Sequence, residues 1–212
     1  MRTSLLVTTP PAAEPVSLAE AKQHCRIDSS DDDRLLAGYL TAARIKAEGY
    51  QSRALLTQKL LWTVRPTEQL HPERSRMPRA LYLPRAPIQS IESVVVTDVL
   101  GNATTILPAT LPVPPNTPIF GYIADLALTP ARLVFGRDTP LVDGTLLHWA
   151  RLGDIQIAFT AGYGAAEAVP RSTVQAILMM TAFLYEHRGD AGGEMPTTAD
   201  WLLDNERLQF LG

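Results

Sequence analysis

One cysteine, Cys25, among 212 residues excludes an internal disulfide and a zinc site built on thiolates. A lone thiol reads as a buried structural side chain before it reads as a nucleophile, and it suits a reducing cytoplasm. No run of about 18 apolar residues occurs, so no segment is expected to span a membrane. The N-terminus lacks the charged-then-apolar pattern that precedes a small-residue cleavage site, so export is not expected. Excess charge of either sign is also missing: 19 Lys and Arg against 22 Asp and Glu give a formal net charge of −3. General nucleic-acid binders carry a basic surplus, so any DNA contact here must come from a local patch.

Arrangements that carry chemistry are equally scarce. His24, His71, His148 and His187 are scattered, and none falls in a paired metal-ligand spacing. Gly162-Tyr163-Gly164 lacks the third glycine of a dinucleotide fingerprint and the lysine of a phosphate loop. Ser172 sits in no nucleophile elbow. Glu186, His187 and Arg188 are consecutive on a helix, where neighbours diverge by about 100°, so they do not converge on one substrate atom. The expectation is a protein with no catalytic residues, no metal and no cofactor.

What the chain does have is helical periodicity at its two ends and proline between them. Hydrophobic residues make up 46% and charged residues 19%, the balance of a folded chain, and the length allows one substantial core or one domain with a large insertion. Residues Met1 to Pro15, with three prolines, read as an extended arm, loose or laid along something else. Ser17 and Glu20 form a capping box for a short first helix ending near Arg26. Ser29 or Ser30 caps a second helix, with Asp31, Asp32 and Asp33 in its first turn as partners of the helix dipole. A metal reading of that triplet fails on geometry, since consecutive aspartates diverge and no calcium-loop spacing surrounds them. Leu36, Leu40, Ala43, Ala47 and Tyr50 then form a seam suited to packing lengthwise on another helix.

From Leu55 to Thr160 lie twelve of the 17 prolines, and apolar runs become short. Strands are predicted at Leu60–Val64, Ala80–Leu83, Ile91–Thr97, Thr104–Leu107, Arg132–Phe135 and Asp154–Thr160, with a hairpin loop at Asp98–Asn102. The proline-dense piece Pro108–Pro118 reads as an exposed loop or edge. Arg65, Arg74, Arg76, Arg79 and Arg85, with His71, form the only basic concentration, either a contact for DNA phosphate or an acidic partner, or a solvated loop. A last strand ends near Thr160. The glycines at 162 and 164 turn the chain, and a helix starts at Pro170 and stops at Gly189. Val174, Ile177, Leu178, Thr181, Leu184 and Tyr185 mark one apolar side of it, and Met179, Met180 and Phe183 a second. Such a helix is either central in its own core or shared with a neighbouring subunit. A tail helix follows near Thr198, with Trp201, Leu202, Leu203, Leu208, Phe210 and Leu211 as its apolar residues.

The fold class expected is therefore α+β: a small bundle of about four helices with a β-rich insertion between the second and third long ones. Residues 1–54 supply the arm and first helices, 55–160 the insertion, and 161–212 the central and tail helices. The pieces PVSLAEAKQHCRID, LPRAPIQSIESVVV, AFTAGYG and VPRSTVQAILMMTAFLYEHRGD together resemble the head–tail connector (head-completion or adaptor) proteins of tailed bacteriophages and phage-like gene transfer agents. The resemblance runs from Pro15 to about Gly189. It implies a structural ring, usually of twelve subunits, beneath the portal protein at the particle neck, meeting a tail-side neck or terminator protein and passing DNA through its channel during packaging and ejection. It implies no membrane contact, and synthesis in the bacterial host cytoplasm. On this reading Leu36, Leu40, Ala43, Ala47, Met179, Met180 and Phe183 are expected at the subunit interface, and Trp201, Leu202, Phe210 and Leu211 at the portal. The rival readings are a tail-side completion protein and a small-ligand or enzymatic module using the β insertion.

Overall fold

Two kinds of sequence periodicity, of two residues and of three to four, mark the two units into which the chain divides. A computed structural model describes residues 2–65, 80–109, 121–136, 152–188 and 197–208. They form two compact units. One comprises Met1–Pro10, Gln58–Pro84 and Ile88–Ala161, and the other Pro11–Thr57, Arg85–Pro87 and Gly162–Gly212.

The first unit is built from strands. Its larger sheet contains β1 (Arg2–Thr9), β2 (Gln58–Arg65), β4 (Ile88–Asp98), β5 (Ala103–Thr105) and β8 (Leu152–Ala161), in the antiparallel order β1-β2-β8-β4-β5. A smaller sheet has the order β3 (Ala80–Tyr82), β7 (Arg132–Phe135), β6 (Tyr122–Asp125). Alternation decides which residues face inward. Leu60, Trp62 and Val64 of β2 stand opposite Phe159, Ile157 and Ile155 of β8, and Val94 and Val96 of β4 pair with the same Ile157 and Ile155. All eight are buried, as are Leu81, Leu133 and Phe135 of the smaller sheet. Each buried Leu, Ile or Phe contributes about 1.5–3 kcal/mol of transfer free energy.

The six predicted strands are all present, with bounds shifted by up to three residues. β1 and β6 are additional. The N-terminal arm therefore belongs with the sheet, because Arg2–Val7 pairs residue by residue with Leu60–Arg65. At the predicted hairpin, the Asp98 carboxylate accepts from the backbone N–H of Leu100 and Asn102, each at 2.8 Å, and from the Asn102 side chain. Gly101 takes the left-handed φ of 93°. Of the basic concentration, Arg65 is a sheet residue paired with Asp154 at 2.6 Å, while Arg74, Arg76, Arg79 and His71 lie outside the described residues. So does Pro108–Pro118 from residue 110 onward.

The second unit is helical: α1 (Leu18–Cys25), α2 (Asp33–Gln51), α3 (Arg171–Glu186) and α4 (Thr197–Asp204). The capping box forms as expected. The Glu20 N–H donates to Ser17 Oγ, the Glu20 carboxylate accepts from the Ser17 N–H at 2.9 Å, and Arg26 closes α1 in the left-handed conformation. α2 starts later than the serines suggested. Its cap is Asp32, which makes no side-chain capping bond, so only Asp33 lies in the first turn. Two of the three aspartates also have tertiary partners. Asp33 accepts from Lys22 of α1 at 2.7 Å, and Asp32 accepts from the Tyr185 hydroxyl at 2.8 Å and from Arg188 at 2.7 Å, both beside the end of α3.

The Arg188 guanidinium, and after it the Tyr185 hydroxyl, hold the Asp32 carboxyl below its ordinary value. A carboxyl depressed in the folded state adds stability that is present above its unfolded value and lost as pH falls through the folded one. Asp32→Asn should therefore be less stable than the parent at neutral pH. Urea melts at decreasing pH should show that gap beginning to close near pH ~4 and disappearing below it.

Candidate functional site

A surface that assembles with other chains has to be made of residues the chain does not bury for itself, so the candidate interface residues sort by exposure. Leu36, Leu40, Ala43 and Ala47 lie on the face of α2 that packs against α3, and each is at most 2% exposed. They share one core with Ala176, Ile177 and Met180 of α3 and with Ala199 and Leu203 of α4. The seam thus packs lengthwise on helices of its own chain, as its spacing foretold, and has no apolar surface left for another subunit. Met180 is equally buried, whereas Met179 and Phe183 are half-buried and retain surface. α3 is central to this core along Thr173, Ala176, Ile177, Met180 and Thr181, with half-buried flanks rather than a second buried face. In the tail, Trp201 is 66% exposed, Leu202 half-buried and Leu203 buried; Phe210 and Leu211 lie outside the described residues.

Sequence reasoning missed a buried polar cluster at the C-terminal end of α2. Arg44, Glu48 and Gln51 are all less than 8% exposed. Arg44 donates to Glu14 at 2.7 Å and to Glu48 at 2.9 Å, while the other Glu48 oxygen accepts the backbone N–H of Leu55 at 2.9 Å. Arg85, itself at a left-handed φ of 66°, donates to the backbone carbonyls of Glu48 and Arg53. Burial pulls its guanidinium below the ordinary value, with Glu48 opposing. The Tyr163 N–H reaches the Leu55 carbonyl and the Thr57 N–H the Gly164 carbonyl. Glu14, Leu55 and Arg85 come from three separate passages of the chain and bond to Arg44 or Glu48, and Tyr163 joins a fourth passage to them through Leu55, all within the helical unit.

Gln51 extends the same logic to the tail. Its side-chain amide donates to Thr173 at 3.0 Å and to the Leu203 carbonyl at 2.9 Å, and its backbone carbonyl accepts from Leu208. The Tyr50 hydroxyl donates to Asp204 at 2.7 Å. α4 is therefore fastened to α2 by polar contacts as well as by Leu203.

Among the described residues no three His, Cys, Asp or Glu side chains stand close enough to share a metal. Burial, with Glu186 nearby, pushes the Cys25 thiol up rather than activating it. His187 stacks on Phe183 at 4.3 Å. A cleft of about 520 Å³ borders Glu14, Ser17, Glu20, Leu40 and Thr41, but Glu14 is committed to Arg44 and Thr41, and Glu20 to Ser17. What the unit leaves open is apolar surface: Leu35 and Ile45 on α2 and Trp201 on α4. In the β unit the exposed apolar residues include Leu6 and Val7 on β1 and the hairpin tip Val99–Leu100.

Residues 15–99 match the family model described as phage gp6-like head-tail connector protein. No curated protein matches the chain. Among solved structures, a chain from the neck of an empty gene transfer agent (GTA) particle, computed with sixfold cyclic symmetry, aligns over 99% of this chain and 97% of its own, at 24% identity and a TM-score of 0.69. A chain from the virion of a native GTA particle aligns over 98% and 97%, at 21% identity and a TM-score of 0.68. A third, from a native GTA neck computed with twelvefold cyclic symmetry, aligns over 100% and 98%, at 23% identity and a TM-score of 0.62. By sequence over residues 15–99 the chain matches the phage head–tail connector family, and nearly its whole length takes the fold seen in the necks of gene transfer agent particles.

Proposed function

We propose that the protein is a structural head–tail connector, an adaptor that forms a ring in the neck of a phage or phage-like particle, bridges capsid and tail, and continues the DNA channel. The observation that carries this is the likeness to GTA neck chains over almost all of both chains, beside the connector-family match at residues 15–99. Connector function needs no chemistry, and a ring of identical copies needs two different exposed faces per chain, because head-to-tail contacts join unlike surfaces. The ring has twelve copies on this reading. It meets the portal protein on one side and a tail-side neck protein on the other, and passes DNA without reading its sequence. Mild acidity favours this passage, since a strongly basic lumen would hold the strand that has to slide.

Electron microscopy of particles made with and without this gene product tests the proposal. Deletion should leave filled or partly filled heads without tails and with necks lacking one ring of density. Tailed particles of normal neck length from the deletion would overturn it. Purified protein binding isolated portals would separate the connector reading from that of a tail-side completion protein.

A further inference from the structure

Two features of the helical unit keep apolar side chains exposed among the described residues. On α2, opposite the core seam, Leu35, Gly38, Ala42, Ile45 and Gly49 follow at three- and four-residue steps, all exposed, with Leu35 at 37% and Ile45 at 57%. A Cβ placed on Gly38 or Gly49 would meet nothing within 4 Å, so the space over both positions is open. The exposed charges beside this face are basic, Arg34 and Lys46. On α4 Trp201 is 66% exposed, with Asp200 its half-buried neighbour in sequence, while Asp204, one turn on from Asp200, is bonded to the Tyr50 hydroxyl of the same chain. One is an apolar helix face with basic residues beside it, and the other a single exposed indole with an acidic neighbour, Asp200. Both belong to every copy.

We propose that Trp201 of one copy seats on the Ala42–Ile45–Gly49 face of α2 in a second copy, with Asp200 facing Lys46. This rests on the ring reading above and names the contact that builds the ring. The complementarity is of apolar surface and of charge. An aromatic anchor buried against an apolar face is the side-chain chemistry that dominates interface energies, and opposite charges at its rim fix register. Because the two surfaces differ, each contact leaves one α2 face and one indole free, so association runs head to tail until the circle closes. Within its own chain α4 is anchored through Leu203, Gln51 and Tyr50 and still leaves Trp201 uncovered, so the indole is not part of that anchorage.

The test uses full-length protein in assembled particles, in a Cys25→Ser background. Gly49→Cys and Thr198→Cys, placed together and bridged by a short bismaleimide, should give a denaturing-gel ladder of dimers, trimers and larger multimers. Either cysteine alone should give none. Lys46→Glu and Asp200→Lys should each abolish the ladder and the neck ring, and the two together should restore both. Intact neck rings without a ladder would overturn the contact while leaving the connector reading standing. A ladder that stops at dimers would overturn it in favour of a self-closing pair. Trp201→Ala rings that form normally but detach from portals would overturn it by assigning Trp201 to the portal. Absence of the protein from necks altogether would overturn the connector reading, and this contact with it.

Discussion

Replacing Glu48 with alanine is expected to cost about 3–5 kcal/mol, the range for removing one member of a buried ion pair. The side chains of Arg44 and Glu48 are 8% and 9% exposed, and their 2.9 Å contact lies where water contributes little screening. Without Glu48 the Arg44 guanidinium keeps only Glu14, whose side chain is 26% exposed. The Leu55 N–H loses its acceptor as well, and an unsatisfied buried donor costs about 1–3 kcal/mol. Glu48→Gln divides these contributions, because a glutamine oxygen still accepts from Leu55 while the charge is gone. Chemical denaturation followed by the helical circular dichroism signal should rank wild type above Glu48→Gln and Glu48→Ala lowest. If the alanine variant melted within about 0.5 kcal/mol of wild type, as an ordinary surface change does, the cluster would not be holding the four passages together.

That cluster also marks where the sequence stops being legible. Helix ends and strands were readable because their causes are local: Ser17 and Glu20 are three residues apart, and Leu60, Trp62 and Val64 alternate within one strand. The core face of α2 was readable as a seam, but its periodicity does not say whether the partner helix belongs to the same chain or to another. It is α3 and α4 of the same chain. Arg44, Glu48 and Gln51 gave no signal of burial because charge and polarity ordinarily mark a solvated face. Arg44 and Glu48 meet locally, four residues apart on the helix, but their other partners lie 30 and 7 residues away and those of Gln51 122 or more, and tertiary structure brings these in. The arm at β1 was legible as extended chain but not as a strand, for the opposite reason. As an edge strand nearly all of whose residues are exposed, Arg2–Thr9 carries no inside-outside alternation to read. The Asp31–Asp33 triplet looked like dipole chemistry, yet two of its members serve ion pairs with α1 and with the end of α3.

Gly162→Ala is expected to be the most damaging change of a single methyl group in the helical unit, for two separable reasons. Gly162 has φ of 128°, a conformation essentially reserved for glycine, and forcing a side chain into it costs about 1–3 kcal/mol. The added Cβ would also stand 2.2 Å from the Leu56 carbonyl oxygen and 2.7 Å from the Thr57 nitrogen. These are backbone atoms and cannot rotate aside. Nor can their segment yield freely, since Leu55 accepts from Tyr163, Thr57 donates to Gly164, and the Gly162 N–H donates to the Pro87 carbonyl at 2.9 Å. Displacing a packed backbone adds roughly another 1–3 kcal/mol. Gly164 supplies the control: its φ of 116° carries a comparable conformational demand, but a Cβ there meets nothing within 4 Å. Gly164→Ala should therefore lose the conformational share alone, and the difference between the two denaturation midpoints measures the close approach of Gly162 to Leu56. Equal losses would mean that the turn after β8 depends on backbone angles only, and that the segment at Leu56 can give way by the ångström that the methyl group demands.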